Sequence, residues 1–278
     1  MASLRCLFPS ALLTLAFLST VTRADFRTLC PLLVSAKMDP IVMPGQVSGH
    51  NHDIVGSVAF GQTTRKHMMR ISPSTCSIIG DFSNYWVPSI YRTDGGKKEK
   101  LPVFIRAYYL TGTSDSTHVD VSQFPRNISM VMGDASGNTK FGDPSFDHIE
   151  FICVGANDNN GDNKISNSGF LDNGTCPGGL RILYFFPNCW SGAPYQADQS
   201  HVAYADKVRI ESGGTCPPSH PRRIFTVRLE YEVATPQSWK GPAPFVLSSG
   251  PLNTAHADAT LVWSETVMTK LEKTCRNL

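Results

Sequence analysis

The chain has 278 residues, with 25 basic and 23 acidic side chains, 41% hydrophobic residues, 22 glycines and 19 prolines. Arg5 and Arg23 sit in a leader-like segment that contains no acid, so the remainder carries 23 charges of each sign. That balance excludes a nucleic-acid partner, which needs a basic face to displace counterions.

Residues 1–24, "MASLRCLFPSALLTLAFLSTVTRA", combine a basic start, an apolar run and small residues at Thr22 and Ala24. This is the pattern of a secretory signal peptide, with Asp25 the first mature residue. No later segment reaches the roughly 20 apolar residues a transmembrane helix needs, so the expectation is a secreted, extracellular protein with no membrane partner. Residues 25–278 then suit one domain, since all-β domains of roughly 200–250 residues are common, and a monomer is expected.

Cys6 leaves with the leader. Cys30, Cys76, Cys153, Cys176, Cys189, Cys216 and Cys275 remain, an odd number that predicts three disulfides and one unpaired thiol in an oxidising compartment. Their wide scatter argues against a zinc ribbon. Cys176 and Cys189 flank a short strand-like run and form the expected local pair. The sequons at Asn127 and Asn173 predict a surface glycoprotein.

Along the chain, short runs at 87–92, 101–110, 128–133, 148–155, 180–186, 225–233 and 245–249 read as strands. The alternation Phe225, Val227, Leu229, Tyr231, Val233 marks one half-buried face. "TDGGKK" at 93–98 predicts a hairpin. The polar stretch 155–174 reads as a long loop whose "DNNGDN" lacks the spacing of a calcium site. Only 261–275 has helical spacing, with Val262, Thr266, Met268 and Leu271 on one face. The expectation is an all-β fold: an antiparallel β-sandwich or jelly roll with long loops and a short C-terminal helix.

Five of the eight histidines lie in compact motifs: "SGHNHD" (His50, His52), "QSHVAYAD" (His201), "CPPSHPRR" (His220) and "NTAHADA" (His256). On an extended strand, residues two apart face the same side. His50 with His52, and His256 with Asp258, would therefore project together. Imidazoles so placed bind a metal or move protons near neutral pH. His50, His52, His201, Tyr204, His220, His256 and Asp258 are the candidate catalytic groups. His50, His52, His201 and His256 are the candidate ligands of a metal, zinc or copper, although no motif makes a cofactor obligatory. Asp39, Asp81, Asn84, Tyr85, Trp86, Arg181, Asn188 and Trp190 are candidates for binding a sugar, in which an aromatic supplies area and polar neighbours orient the hydroxyls.

"MDPIVMPGQVSGHNHDIVGS", "TCSIIGDFSNYWVPSIY", "CPGGLRILYFFPNCWSG", "SHVAYA", "CPPSHPRR" and "HADA" occur here in one order. Together they resemble a family of secreted, mostly fungal proteins. That family is known as a domain of unknown function, numbered nineteen-ninety-six, and is often fused to WSC modules thought to bind carbohydrate. The resemblance runs from about Phe26 to Cys275. It implies that the residues named above belong to shared motifs, but no established reaction comes with it. Ala205 stands where the family usually has proline, "ATLVW" replaces an aromatic, asparagine and glycine, and a WSC module is missing. The functional expectation is a secreted enzyme that cleaves a cell-wall or plant polysaccharide, as hydrolase or lyase. Its competitors are a non-catalytic glycan-binding wall protein and a His-ligated metalloprotein. No G-x-S-x-G elbow, Walker loop or dinucleotide fingerprint appears.

Overall fold

The computed structural model describes residues 26–94, 97–110, 125, 128–138, 148–154, 162–165, 179–206, 214–234 and 245–276, with side chains for all but Asp94, 162–165 and 272–276. Residues 1–25, with the expected leader, and both sequon asparagines lie outside the described residues. In chain order the strands begin with β1 (Phe26–Cys30), β2 (Leu32–Ala36), β3 (His52–Gly56), β4 (Asn84–Pro88), β5 (Ile90–Asp94), β6 (Lys97–Lys100), β7 (Val103–Leu110) and β8 (Ile128–Gly133). They continue with β9 (Ile149–Val154), β10 (Asp162–Ile165), β11 (Leu180–Phe185), β12 (Cys189–Trp190), β13 (Val202–Ala203), β14 (Arg222–Arg223), β15 (Thr226–Val233), β16 (Phe245–Leu247) and β17 (His256–Leu261). The helices are a single turn, α1 (Lys66–Met69), and α2 (Glu265–Arg276).

A six-stranded sheet, β1-β7-β15-β11-β9-β10, packs on a five-stranded sheet, β2-β3-β4-β17-β8. Every pairing in both is antiparallel. Val227, Leu229, Tyr231 and Val233 from one sheet and Val55, Tyr85, Val87, Ala257 and Ala259 from the other share the main core. This is the expected sandwich, and its two sheets differ in a way that positions the site. β1 alternates buried and exposed residues, the mark of a sheet with one wet face. β3, β4 and β17 are buried at every residue, so the outer face of the five-stranded sheet is roofed over its three central strands.

Several sequence expectations are corrected. The run 87–92 breaks at Ser89 into two strands of different sheets, and the stretch 155–174 contains β10, paired with β9. The expected hairpin is present as β5–β6, with Asp94 opposite Lys97. Helix α2 starts only at Glu265; it buries Met268 and Leu271 and leaves Thr266 exposed. Cys189 bonds Cys216 rather than Cys176, because β12 pairs with β14, whose chain arrives from Cys216. Cys30 bonds Cys76, and Cys153 is also disulfide-bonded.

A histidine and carboxylate cluster under the roof of the five-stranded sheet

Alternation along three adjacent strands builds the site. Val55 on β3, Tyr85 and Val87 on β4, and Ala257 and Ala259 on β17 turn into the sandwich core. Their neighbours His52, Ile54, Trp86, His256 and Asp258 therefore face outward. There Ile54 and Trp86 pack with Ile41, Phe60 and Tyr195 from the covering loops. Gly133 makes the end of β17 reachable. It pairs with His256 at φ +84°, and a Cβ on it would stand 2.4 Å from the Ala255 carbonyl.

Three imidazoles meet at their Nε2 atoms. His50 lies 3.0 Å from His52 and 3.1 Å from His256, and His52 lies 3.4 Å from His256. His52 opens β3 and His50 sits in the bend before it, so the pair converges without sharing a strand. His256 Nδ1 donates to the Thr254 carbonyl at 2.8 Å. A carbonyl only accepts, so the Nε2 of neutral His256 carries a lone pair. His52 Nδ1 faces the Met38 carbonyl without closing a hydrogen bond of normal geometry.

Burial, and then the nearby His256 and His50, push His52 down to about 2. Burial also brings His256 down to about 4, against the pull of Thr254. His50, half-buried, is lowered by burial as well, with Asp39 opposing. All three rings are therefore neutral at physiological pH, the form that ligates metals.

Two carboxylates adjoin the rings. Ligand atoms of Asp39, His52 and Asp258 all lie within 4.8 Å of one another. Asp39 accepts the backbone N–H groups of Ile41 and Val42 at 3.1 and 3.0 Å. Trp86 Nε1 points toward it without a well-formed bond. Both oxygens of the fully buried Asp258 lack a partner. Burial, then the charge of Asp39, raises the Asp258 carboxyl well above its ordinary range.

The loop over Asp258 carries a residue that sequence reading passed over. Tyr195 packs over Trp86, is held by Gln199, and is close enough to Asp39 and Asp258 that their charges add to burial in opposing its ionisation. Its only sequence signal was an aromatic among Pro and Gly. Gln199 has a left-handed φ of 61° and accepts the N–H of Val131, which clamps this loop onto edge strand β8.

The other candidates do not join the cluster. His201 donates Nε2–H to the Ser129 carbonyl at 2.9 Å, with Nδ1 accepting the Gln196 N–H; it is a clasp for the Tyr195 loop. His220 is half-buried and ties a turn to the Ser200 carbonyl. Tyr204 stacks on His148 and donates to the Phe185 carbonyl, at the end of β11 in the other sheet. Trp86 and Tyr85 are fully buried and offer no face for a sugar to stack on. Asp81 and Tyr85 belong to a core relay in which Trp263 donates to Tyr109, Tyr109 to Tyr85, and Tyr85 to Asp81. Asn84 holds the Val55 and Ser57 carbonyls, and Asn188 joins Thr226 to the Ala205 N–H. Arg181 bonds Glu232 in the six-stranded sheet. Trp190 remains half-buried, with the Arg222 guanidinium 5.0 Å from its ring centre.

A family model described as "Domain of unknown function (DUF1996)" matches residues 39–263, and the chain belongs to that family. The match begins at Asp39 and spans all five residues of the cluster. No curated protein and no solved structure matches the chain.

Proposed function

We propose that this member of the family is a secreted metalloenzyme in which His50, His52 and His256 hold a transition-metal cation, zinc or copper, for hydrolysis of a polysaccharide. The observation that carries the reading is the triangle of Nε2 atoms, 3.0, 3.1 and 3.4 Å on its edges. Hydrogen bonds alone satisfy it poorly. His256 brings no proton to the triangle, and a proton on either of the others can point at only one neighbour. A cation satisfies all three lone pairs at once. Nitrogens about 2.0–2.1 Å from a tetrahedral zinc stand roughly 3.3 Å apart.

Three protein ligands leave a fourth position free, the pattern of a catalytic rather than a structural zinc site. A cation there supplies Lewis acidity to water or to a substrate oxygen. His50 is the most exposed of the three rings, so the open side lies toward it. The polysaccharide assignment rests on the sequence motifs, with Trp190 the aromatic candidate still within reach of solvent.

One observation favours a second reading, a metal that locks the loops without turnover. His52 and His256 are 0% and 3% exposed, which leaves a polymer little of the triad to reach. Elemental analysis of the gently purified protein, paired with incubation on β-glucan, chitin and uronate polymers, separates the readings. Stoichiometric zinc or copper, lost in His256→Ala together with product release, supports the enzyme. Metal without product supports the locked site. Metal-free protein that takes up neither ion defeats both.

A further inference from the structure

Asp258 is the least satisfied group among the described residues. It is 0% exposed, and neither oxygen has a hydrogen-bond partner. Asp39 beside it is 4% exposed and takes only two backbone N–H groups. Neither carboxylate is in an ion pair among the described residues. An unpaired buried carboxylate costs several kcal/mol, and this fold places two side by side. They stand against His52, whose Nδ1 is also buried without a well-formed bond.

The geometry points to a second divalent cation, held by Asp39 and Asp258 with His52, beside the ion of the histidine triad. His52 Nε2 is committed to the triad, so His52 joins the second set only by releasing its Nδ1 proton to solvent and bridging as an imidazolate, with the two ions on opposite edges of its ring. The chemistry of the sets differs. Three imidazole nitrogens suit zinc or copper, whereas carboxylate oxygens with one imidazole suit a harder ion such as Mn²⁺, or a second Zn²⁺.

Each orphaned atom then has a use. A cation gives both Asp258 oxygens a partner and removes the repulsion between the two carboxylates. The backbone bonds from Ile41 and Val42 orient Asp39, as groups behind a metal ligand usually do. Tyr195, near both carboxylates, closes the site from the loop side. The proposal depends on the triad reading for its second ion only; the carboxylate set is defined by its own residues.

The test counts ions. Protein secreted by an expression host is stripped with EDTA, reloaded with Zn²⁺ or with Zn²⁺ and Mn²⁺ together, exchanged into metal-free buffer and analysed for metal per chain. Two equivalents are expected in the parent protein and one in Asp258→Asn and in Asp39→Asn, with circular dichroism showing that both variants fold. His256→Ala should lose the triad ion. One equivalent in the parent overturns the second site and leaves the triad reading standing. Two equivalents retained in both carboxylate variants also overturn it. No bound metal under any loading overturns this site and the triad together.

Discussion

Asp53 and Asp258 are both fully buried carboxylates in the five-stranded sheet, and the fold treats them in opposite ways. Asp53 faces the sandwich interior. Its oxygens accept Ser35 Oγ at 2.6 Å, Ser89 Oγ at 2.7 Å, Lys100 Nζ at 2.8 Å and, from the opposite sheet, Tyr231 hydroxyl at 2.6 Å. Asp258 faces the roofed side and has no partner for either oxygen. Equal burial with unequal satisfaction separates a structural acid from one that, on the reading proposed above, is held for a ligand. A tie between sheets must be complete to be stable, while a binding group must keep its lone pairs free.

The largest effect should come from breaking the satisfied member. Asp53→Asn removes the charge that Lys100 and Tyr231 converge on, and should cost about 3–5 kcal/mol in urea unfolding. Asp258→Asn, measured in EDTA, should leave stability unchanged or raise it, because it breaks no hydrogen bond or ion pair and relieves an unpaired buried carboxylate. Equal losses at the two positions would erase the distinction.

Asp81 lies between these extremes and sharpens them. It is buried but accepts Ser83 N–H at 3.0 Å and Tyr85 hydroxyl at 3.2 Å. Burial raises its carboxyl to about 6 from an ordinary 3.8, in spite of those bonds. The folded state therefore binds this proton more tightly than the unfolded chain does. Stability from this group is complete below about pH 3.8 and is lost as pH rises through about 6. The loss is about 3 kcal/mol. Unfolding free energies across that range should show the decline in the parent protein and a flatter profile in Asp81→Asn.

The same contrast holds among histidines, with a smaller effect. His201 has both nitrogens bonded, whereas the triad nitrogens face one another. His201→Ala should cost about 1–2 kcal/mol through the unmet Ser129 carbonyl and a looser loop, yet leave bound metal per chain unchanged. Loss of metal in this variant would place His201 in the centre after all.

How legible was the site? The motifs that held the cluster residues were visible, as was the i, i+2 logic that puts His256 and Asp258 on one face. β3 and β17 were harder to read as strands. Their sequences, "HDIVG" and "HADATL", place polar side chains on a roofed face where alternation of apolar and polar residues no longer reports burial. His201 and His220 look like His50 in sequence because a clasp and a ligand use the same ring; only the partner atom tells them apart. Trp86 resembled a sugar platform because aromatic–polar clusters occur equally in cores and on surfaces.

Local chemistry by itself determined the all-β class, the period-two core face of β15 and the helix at the C-terminal end, because each depends on neighbours a few residues apart. Which histidines meet was a tertiary decision. His52 and His256 are 204 positions apart and come together because β3 and β17 both pair with β4. Strand order depends on the packing of the whole core, which no short stretch of chain encodes.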